Sequence, residues 1–219
     1  MSTLLIVGAG PRLGGAIARR FARDGYDIAL ISHDEAGVTA LGEALQGERI
    51  TARWAVADVL DDAALRAAVT RLADQAGGID VALHNVSIWR AADVLELSPE
   101  QLLDDLRAGA ASLLSIAQAV TPGMLAAGGG TILATGSAAA DKPAAGAPTL
   151  GVQKAALRAL VQAMALGLGP QGIHCATITI NGLLGSGDVF DPARIADTFY
   201  AVAAEPRDAW RTVVPYPPG

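Results

Sequence analysis

Short runs of consecutive apolar residues alternate with longer stretches in which apolar positions recur every three or four residues, from one end of the chain to the other. Leu4-Leu5-Ile6-Val7 is the first run, and an unbroken apolar segment of that length reads as a strand covered on both faces. A glycine-rich turn follows, then a helical pattern over about residues 13–23 that stops at Gly25. The cycle repeats with a strand at Ile28-Ala29-Leu30-Ile31, a helix over about residues 35–45 and a third strand ending at Ala57. Asp61 opens a helix that runs to about residue 76, and Val81-Ala82-Leu83 makes the fourth strand. Ser98-Pro99-Glu100-Gln101 predicts a capped helix start, with Ser98 as N-cap and Gln101 reaching back, and the helix runs to about residue 125. Thr131-Ile132-Leu133-Ala134 is the fifth strand, residues 148–168 the next helix, and Ala176-Thr177-Ile178-Thr179-Ile180 the sixth strand. Pro192 opens a last helix to about residue 203, and Thr212-Val213-Val214 predicts a short seventh strand.

Strands of this kind joined by crossover helices build right-handed βαβ units. The expected fold is therefore α/β: a single Rossmann-type, doubly wound parallel sheet with helices on both faces, in one domain over residues 1–219. No linker, internal repeat or low-complexity tail interrupts it. Residues 108–140 carry no charge and are numerous enough to span a bilayer. Pro122, Gly123 and Gly128-Gly129-Gly130 break the run, and Ser112, Ser115 and Thr121 dilute it, so a buried helix, a turn and a buried strand are expected there instead of a membrane span.

Composition narrows the function classes. The net charge is −6, from 22 acidic and 16 basic residues, with no basic cluster to neutralise phosphates, so no nucleic-acid partner is expected. A lone cysteine, Cys175, suits a reducing compartment, and strand-like sequence from Thr3 leaves no room for a signal peptide, so a cytoplasmic location is expected. His33, His84 and His174 are scattered, and no metal site is expected. A nucleophile elbow and a P-loop lysine are absent, which sets hydrolase and kinase readings aside.

The candidate chemistry lies at strand ends. In Gly8-Ala9-Gly10-Pro11-Arg12-Leu13-Gly14, between first strand and first helix, Gly8, Gly10 and Gly14 allow a tight turn and close backbone approach to a pyrophosphate, held at the helix N-terminus beside Leu13. The second strand ends at Ile31 and is followed by Ser32-His33-Asp34, with no carboxylate directly at the strand end; Arg12 and His33 could both face a ribose 2′-phosphate, which favours NADP over NAD, whereas Asp34 also fits a ribose ligand. Asp58 follows the third strand, where it could bind an adenine amine or simply open a helix.

The whole chain resembles a short-chain dehydrogenase/reductase. The resemblance rests on the glycine turn, the Asp58-Val59 pair, His84-Asn85-Val86-Ser87 at the family's Asn-Asn-Ala-Gly turn, Gly136-Ser137, and Leu150-Gly151-Val152-Gln153-Lys154 at its Tyr-x-x-x-Lys motif. Ile180-Asn181-Gly182 fits the turn that meets the nicotinamide. An atypical bacterial branch lacking the tyrosine is similar in its Pro192-Ala193-Arg194-Ile195-Ala196 and Pro206-Arg207-Asp208-Ala209-Trp210 segments. The resemblance implies NAD(P) binding through the turn, Val59, Asn85, Lys154 and Gly182, catalytic roles for Ser137 and Lys154, a small-molecule substrate, and assembly as a homodimer or homotetramer.

Three departures stand against it. Arg12 replaces a glycine, Gly109 stands where the family has a catalytic asparagine, and Leu150 replaces the tyrosine that passes the proton. Leucine donates no proton, and losing a positioned general acid costs roughly 10²–10⁴ in rate. His84, Tyr200, Asp141, Lys142 and a water held by Ser137 are the alternative proton sources; Trp89 and Trp210 could line an apolar pocket. Two readings follow: an NAD(P)-dependent oxidoreductase of a small carbonyl or alcohol with a non-standard proton donor, or an NAD(P)-binding protein without redox turnover, regulatory or partner subunit.

Overall fold

The computed structural model describes residues 2–217. Its order is β1 (Thr3–Val7), α1 (Leu13–Ala22), β2 (Asp27–Ser32), α2 (Glu35–Gly47), β3 (Ala52–Val56), α3 (Asp62–Ala76) and β4 (Val81–His84). Then come α4 (Pro99–Leu106), α5 (Ser112–Ala126), β5 (Gly130–Ser137), α6 (Pro148–Leu168), β6 (Ile173–Ile180), α7 (Pro192–Ala203) and β7 (Val213–Tyr216). All seven strands are parallel, in the order β3-β2-β1-β4-β5-β6-β7. This is the expected doubly wound Rossmann-type sheet, and the order in which strands are added reverses between β1 and β4, where ligands bind in such sheets.

Successive residues of a strand point to opposite faces, so each strand supplies two cores. Leu4 and Ile6 pack with Ile17 and Phe21 of α1, Leu41 of α2 and Phe199 of α7. Leu5 and Val7 pack on the other face with Leu65 of α3, Leu113 and Ile116 of α5 and Leu157 of α6. Asp34, Asp61 and Asp191 cap α2, α3 and α7, and the expected capping box at Ser98 and Gln101 is formed.

The sheet extends further than the sequence indicates: β5 and β6 are each eight residues long, and β7 begins at Val213 and runs to Tyr216. The helix expected over residues 98–125 is real but not uniform. A π turn over Arg107–Ala111 joins α4 to α5, and α5 continues through Pro122 to Ala126, so Pro122 does not end it. By length and apolarity this helix alone, among the described residues, qualifies as a membrane span, yet half of its most apolar window is packed inside the fold. It is a crossover helix of the core.

Candidate active site

The carboxyl ends of β1, β4, β5 and β6 converge on the 8–14 turn. Gly8 takes φ +84°, and a Cβ there would stand 2.6 Å from the Asn85 carbonyl oxygen, so glycine is required by the packing of the turn against the β4 end. Gly10 is different: a Cβ would meet nothing within 4 Å, and its backbone lies open to a ligand. Arg12 precedes α1 without capping it, which leaves the helix N-terminus beside Leu13 and Gly14 available to an anion.

Two cavities meet at Gly10. One, of about 490 Å³, is lined by Ser32, His33, Asp34, Asp58, Val59 and Asn85. The other, of about 680 Å³, is lined by Arg12, Asn85, Ser137, Leu150, Lys154 and Gly182 among others. A dinucleotide laid across the glycine turn fits this arrangement, with its adenosine half in the smaller cavity and its nicotinamide half in the larger. The residues expected at Gly8, Gly10, Leu13, Gly14, His33, Asp58, Val59, Asn85, Lys154 and Gly182 are thus gathered on one surface.

Several take different postures from those expected. Arg12 does not join His33 at the 2′-phosphate position; it lines the larger cavity, and its guanidinium donates to the Leu184 carbonyl oxygen at 2.7 Å. His33 is left as the basic side chain lining the smaller cavity, beside Asp34 and Asp58. Asp34 accepts the Gly37 N–H as a helix cap, and Asp58 accepts the Leu60 N–H. Asn85 spends its amide on the fold: Nδ2 donates to the Gly8 carbonyl at 3.0 Å, and Oδ1 accepts the Thr135 hydroxyl at 2.8 Å. It ties β1, β4 and β5 together and shapes the cofactor wall through the main chain.

On β5, Ser137 lies half-buried at the cavity. Its Oγ accepts the Ala139 N–H at 3.2 Å, which leaves its own O–H to donate elsewhere. Leu150 and Lys154, one helical turn apart on α6, face the same cavity. Lys154 is buried, and its Nζ donates to the carbonyls of Val86 at 3.1 Å and Thr135 at 2.8 Å, with one N–H to spare. Burial pulls its pKa down from 10.5 to about 8, because the charged form loses hydration there.

The alternative proton sources sort themselves by position. His84 is fully buried, shares a hydrogen with Ser112 Oγ at 2.9 Å, and is held near a pKa of about 3 by burial and by the charge of Lys154; it stays neutral and out of the cavity. Tyr200 packs on the outside of α1, against Phe21 and under the Arg20 guanidinium. Asp141 is taken by Arg158 in a two-point ion pair, which keeps its carboxyl below the usual range. Lys142 lines the cavity, as does Trp89. Trp210 does not: it stacks on His174, near the amino end of β6 and so at the opposite edge of the sheet.

Gln153 is the residue sequence reasoning passed over. Its side chain is fully buried and fills the space above Gly109, where a Cβ would stand 2.1 Å from Gln153 Oε1. Oε1 accepts the Ile88 N–H and Nε2 donates to the Ile88 carbonyl, both at 3.1 Å, so one amide clamps the segment that carries Val86 and Trp89. Farther along that segment, Arg90 makes a two-point pair with the buried Asp105 carboxylate, at 2.8 Å for each bond. The asparagine's place is therefore occupied, by a side chain from α6. The only sequence signal was the pairing of a glycine at 109 with a bulky amide next to the motif lysine.

Comparison with known proteins finds similarity over most of the chain. The family model described as enoyl-(acyl carrier protein) reductase matches residues 8–184. D-threitol dehydrogenase of Mycolicibacterium smegmatis is 35% identical over 62% of this chain, an alignment that spans 52% of that enzyme's length. Oxidoreductase UcpA of Salmonella typhimurium is 31% identical over 80% of this chain and 67% of its own. The crystal structure of a metagenomic short-chain oxidoreductase in complex with NADP superposes with a TM-score of 0.88 at 21% identity, covering 100% of this chain and 97% of that one. At that identity the match speaks for the fold alone.

Proposed function

The chain belongs to the short-chain dehydrogenase/reductase family of NAD(P)-binding oxidoreductases, and from that premise we propose that it interconverts a small carbonyl compound and its alcohol although its motif tyrosine is Leu150. The observation that carries the proposal is that Ser137 and Lys154 open onto the same cavity as the glycine turn, so substrate and cofactor groups would meet there. When bound, the cofactor supplies or accepts the hydride.

The chain's own residues do the rest. The 8–14 turn and the α1 N-terminus hold the pyrophosphate, and His33, Asp58 and Val59 flank the adenosine. Gly182 and the spare N–H of Lys154 take the nicotinamide side. The free O–H of Ser137 donates to the substrate oxygen and steadies charge developing on it. His84, Tyr200 and Asp141 are committed elsewhere and Lys142 stands exposed at the rim, so the proton comes from a water held by Ser137, near the Lys154 ammonium, whose charge favours proton delivery. Such relayed delivery is slower than a positioned tyrosine by an amount within the roughly 10²–10⁴ that general acids contribute.

The reading extends to residues 1–219 working as one Rossmann unit, assembled in the cytoplasm as a homodimer or homotetramer. The exposed apolar side chains of Leu114 and Leu125 on α5 and of Val152 and Leu166 on α6 support the assembly, and sedimentation as a monomer at working concentration would remove it. For the function itself, the purified chain is titrated with NADPH and NADH by nicotinamide fluorescence, then screened with aldehydes and ketones. Saturable binding with turnover that drops at least tenfold in Ser137→Ala and in Lys154→Ala is expected. Turnover indifferent to both substitutions refutes the active site. Binding without any turnover gives the second reading, a cofactor-binding subunit, its ground.

A further inference from the structure

The larger cavity is charged in one sense only. Its charged lining residues are Arg12, Lys142 and Lys154, and it has no carboxylate, in a chain whose acids outnumber its bases by 22 to 16. Cofactor binding accounts for two of these cations by position, Arg12 at the glycine turn and Lys154 behind Leu150. Both already donate to main-chain carbonyls, of Leu184 and of Val86 and Thr135. Lys142 is the third, and nothing assigned so far uses it.

Lys142 is held where a substrate would see it. After Ser137 the chain makes a short helical turn over Ala138–Ala140, and the Lys142 N–H bonds back to the Ala138 carbonyl at 2.8 Å. That fold-back brings Ser137 and Lys142 to one cavity. The side chain of Lys142 is exposed and has no hydrogen-bond or ion-pair partner among the described residues. Its neighbour Asp141, whose carboxyl also feels the Lys142 charge, makes its hydrogen bonds to Arg158 instead, both at 2.7 Å. The rest of the substrate side is apolar, from Val86, Trp89, Leu150, Ile180 and Leu183. A free cation at the rim of an apolar pocket recognises an anion borne on an apolar body, because the low-dielectric wall strengthens the pairing.

We propose that the substrate is a carboxylate-bearing aldehyde or ketone, or the matching hydroxy acid, whose carboxylate pairs with Lys142 while its carbon skeleton lies on Trp89 and Leu150. The inference rests on the oxidoreductase reading for the reaction but not for the binding, and its test separates the two. The full chain is assayed with matched aldehydes, 4-formylbenzoate against benzaldehyde, in wild type, Lys142→Met and Lys142→Arg. Charge-assisted hydrogen bonds of this type correspond to roughly 10–100-fold in binding. Lys142→Met is expected to raise KM for 4-formylbenzoate by that factor relative to benzaldehyde, with Lys142→Arg recovering most of it and the NAD(P)H Kd serving as control. An equal effect on both aldehydes, or none, overturns the proposal. If neither aldehyde turns over, benzoate and benzamide are titrated calorimetrically into the cofactor-saturated protein. Benzoate binding that weakens at least tenfold in Lys142→Met, with benzamide failing to bind, upholds the anion site while the reaction is abandoned; equal binding of the two ligands overturns the site as well.

Discussion

Adding one methyl group at residue 109 tests whether the missing asparagine left a hole or a rebuilt wall. The Cβ of Gly109→Ala would lie 2.1 Å from Oε1, 2.7 Å from Cδ and 2.8 Å from Cγ of Gln153, too close for any of these atoms to remain. Gln153 is fully buried, so its displacement forces overpacking, which costs about 1–3 kcal/mol. It also breaks the two bonds to Ile88, worth about 1 kcal/mol each. Against these stands about 1 kcal/mol from replacing a helical glycine by alanine. The net is a destabilisation of about 2–4 kcal/mol, which at about 2–4 °C per kcal/mol for a chain of this size lowers Tm by about 4–16 °C. In a Gln153→Ala background the clash is gone, and Gly109→Ala should become neutral or stabilising by about 1 kcal/mol. The four proteins are compared by urea unfolding, and the cycle should return a coupling of about 3 kcal/mol with each single variant destabilised. Additive effects, or a Gly109→Ala protein as stable as wild type, would show that Gln153 does not hold the asparagine's place.

Leu150→Tyr places a phenol at the cavity beside Ser137 and Lys154, and should raise kcat for an uncharged aldehyde roughly 10²-fold, the low end for a general acid because residue 109 still lacks its amide; an unchanged kcat at saturating cofactor defeats this. Lys154, with its pKa pulled down to about 8 by burial, should make the fold gain stability as pH rises. The folded pKa lies below the unfolded value of 10.5, so the penalty for burying the ammonium, roughly 3 kcal/mol, is present below about pH 8 and fades between there and about pH 10.5. Lys154→Met should abolish that gain relative to wild type in urea unfolding at about pH 7 and pH 10, and parallel pH profiles for the two proteins would contradict it.

The elements were legible because their signals are local. Leu4 to Val7 needs only its own hydrophobicity to be a central strand, and Gly8 to Gly14 follow it directly. The cofactor surface followed from topology, since residues at parallel strand ends share an edge. What escaped was decided by contacts distant in sequence. Arg12 turns to a carbonyl 172 positions away, and Asn85 bonds to partners 77 and 50 positions away. Gln153 and Gly109 belong to different helices, and only their packing reveals that the two departures compensate. His84 ends a strand like a reactive group, yet the π turn carries Ser112 against it and closes it in.

The three-strand brace through Asn85 bears on how such a protein changes over generations. The back wall is fastened to β1 and β5 by side-chain bonds, so a mutation there disturbs several strands together and is poorly tolerated. The pocket's front is carried by residues 86–98 and 183–191, which hold its exposed apolar contacts Trp89 and Leu183 and are free of regular strands or long helices. New substrate preferences can therefore be acquired by exchanging these two loops on an inherited frame.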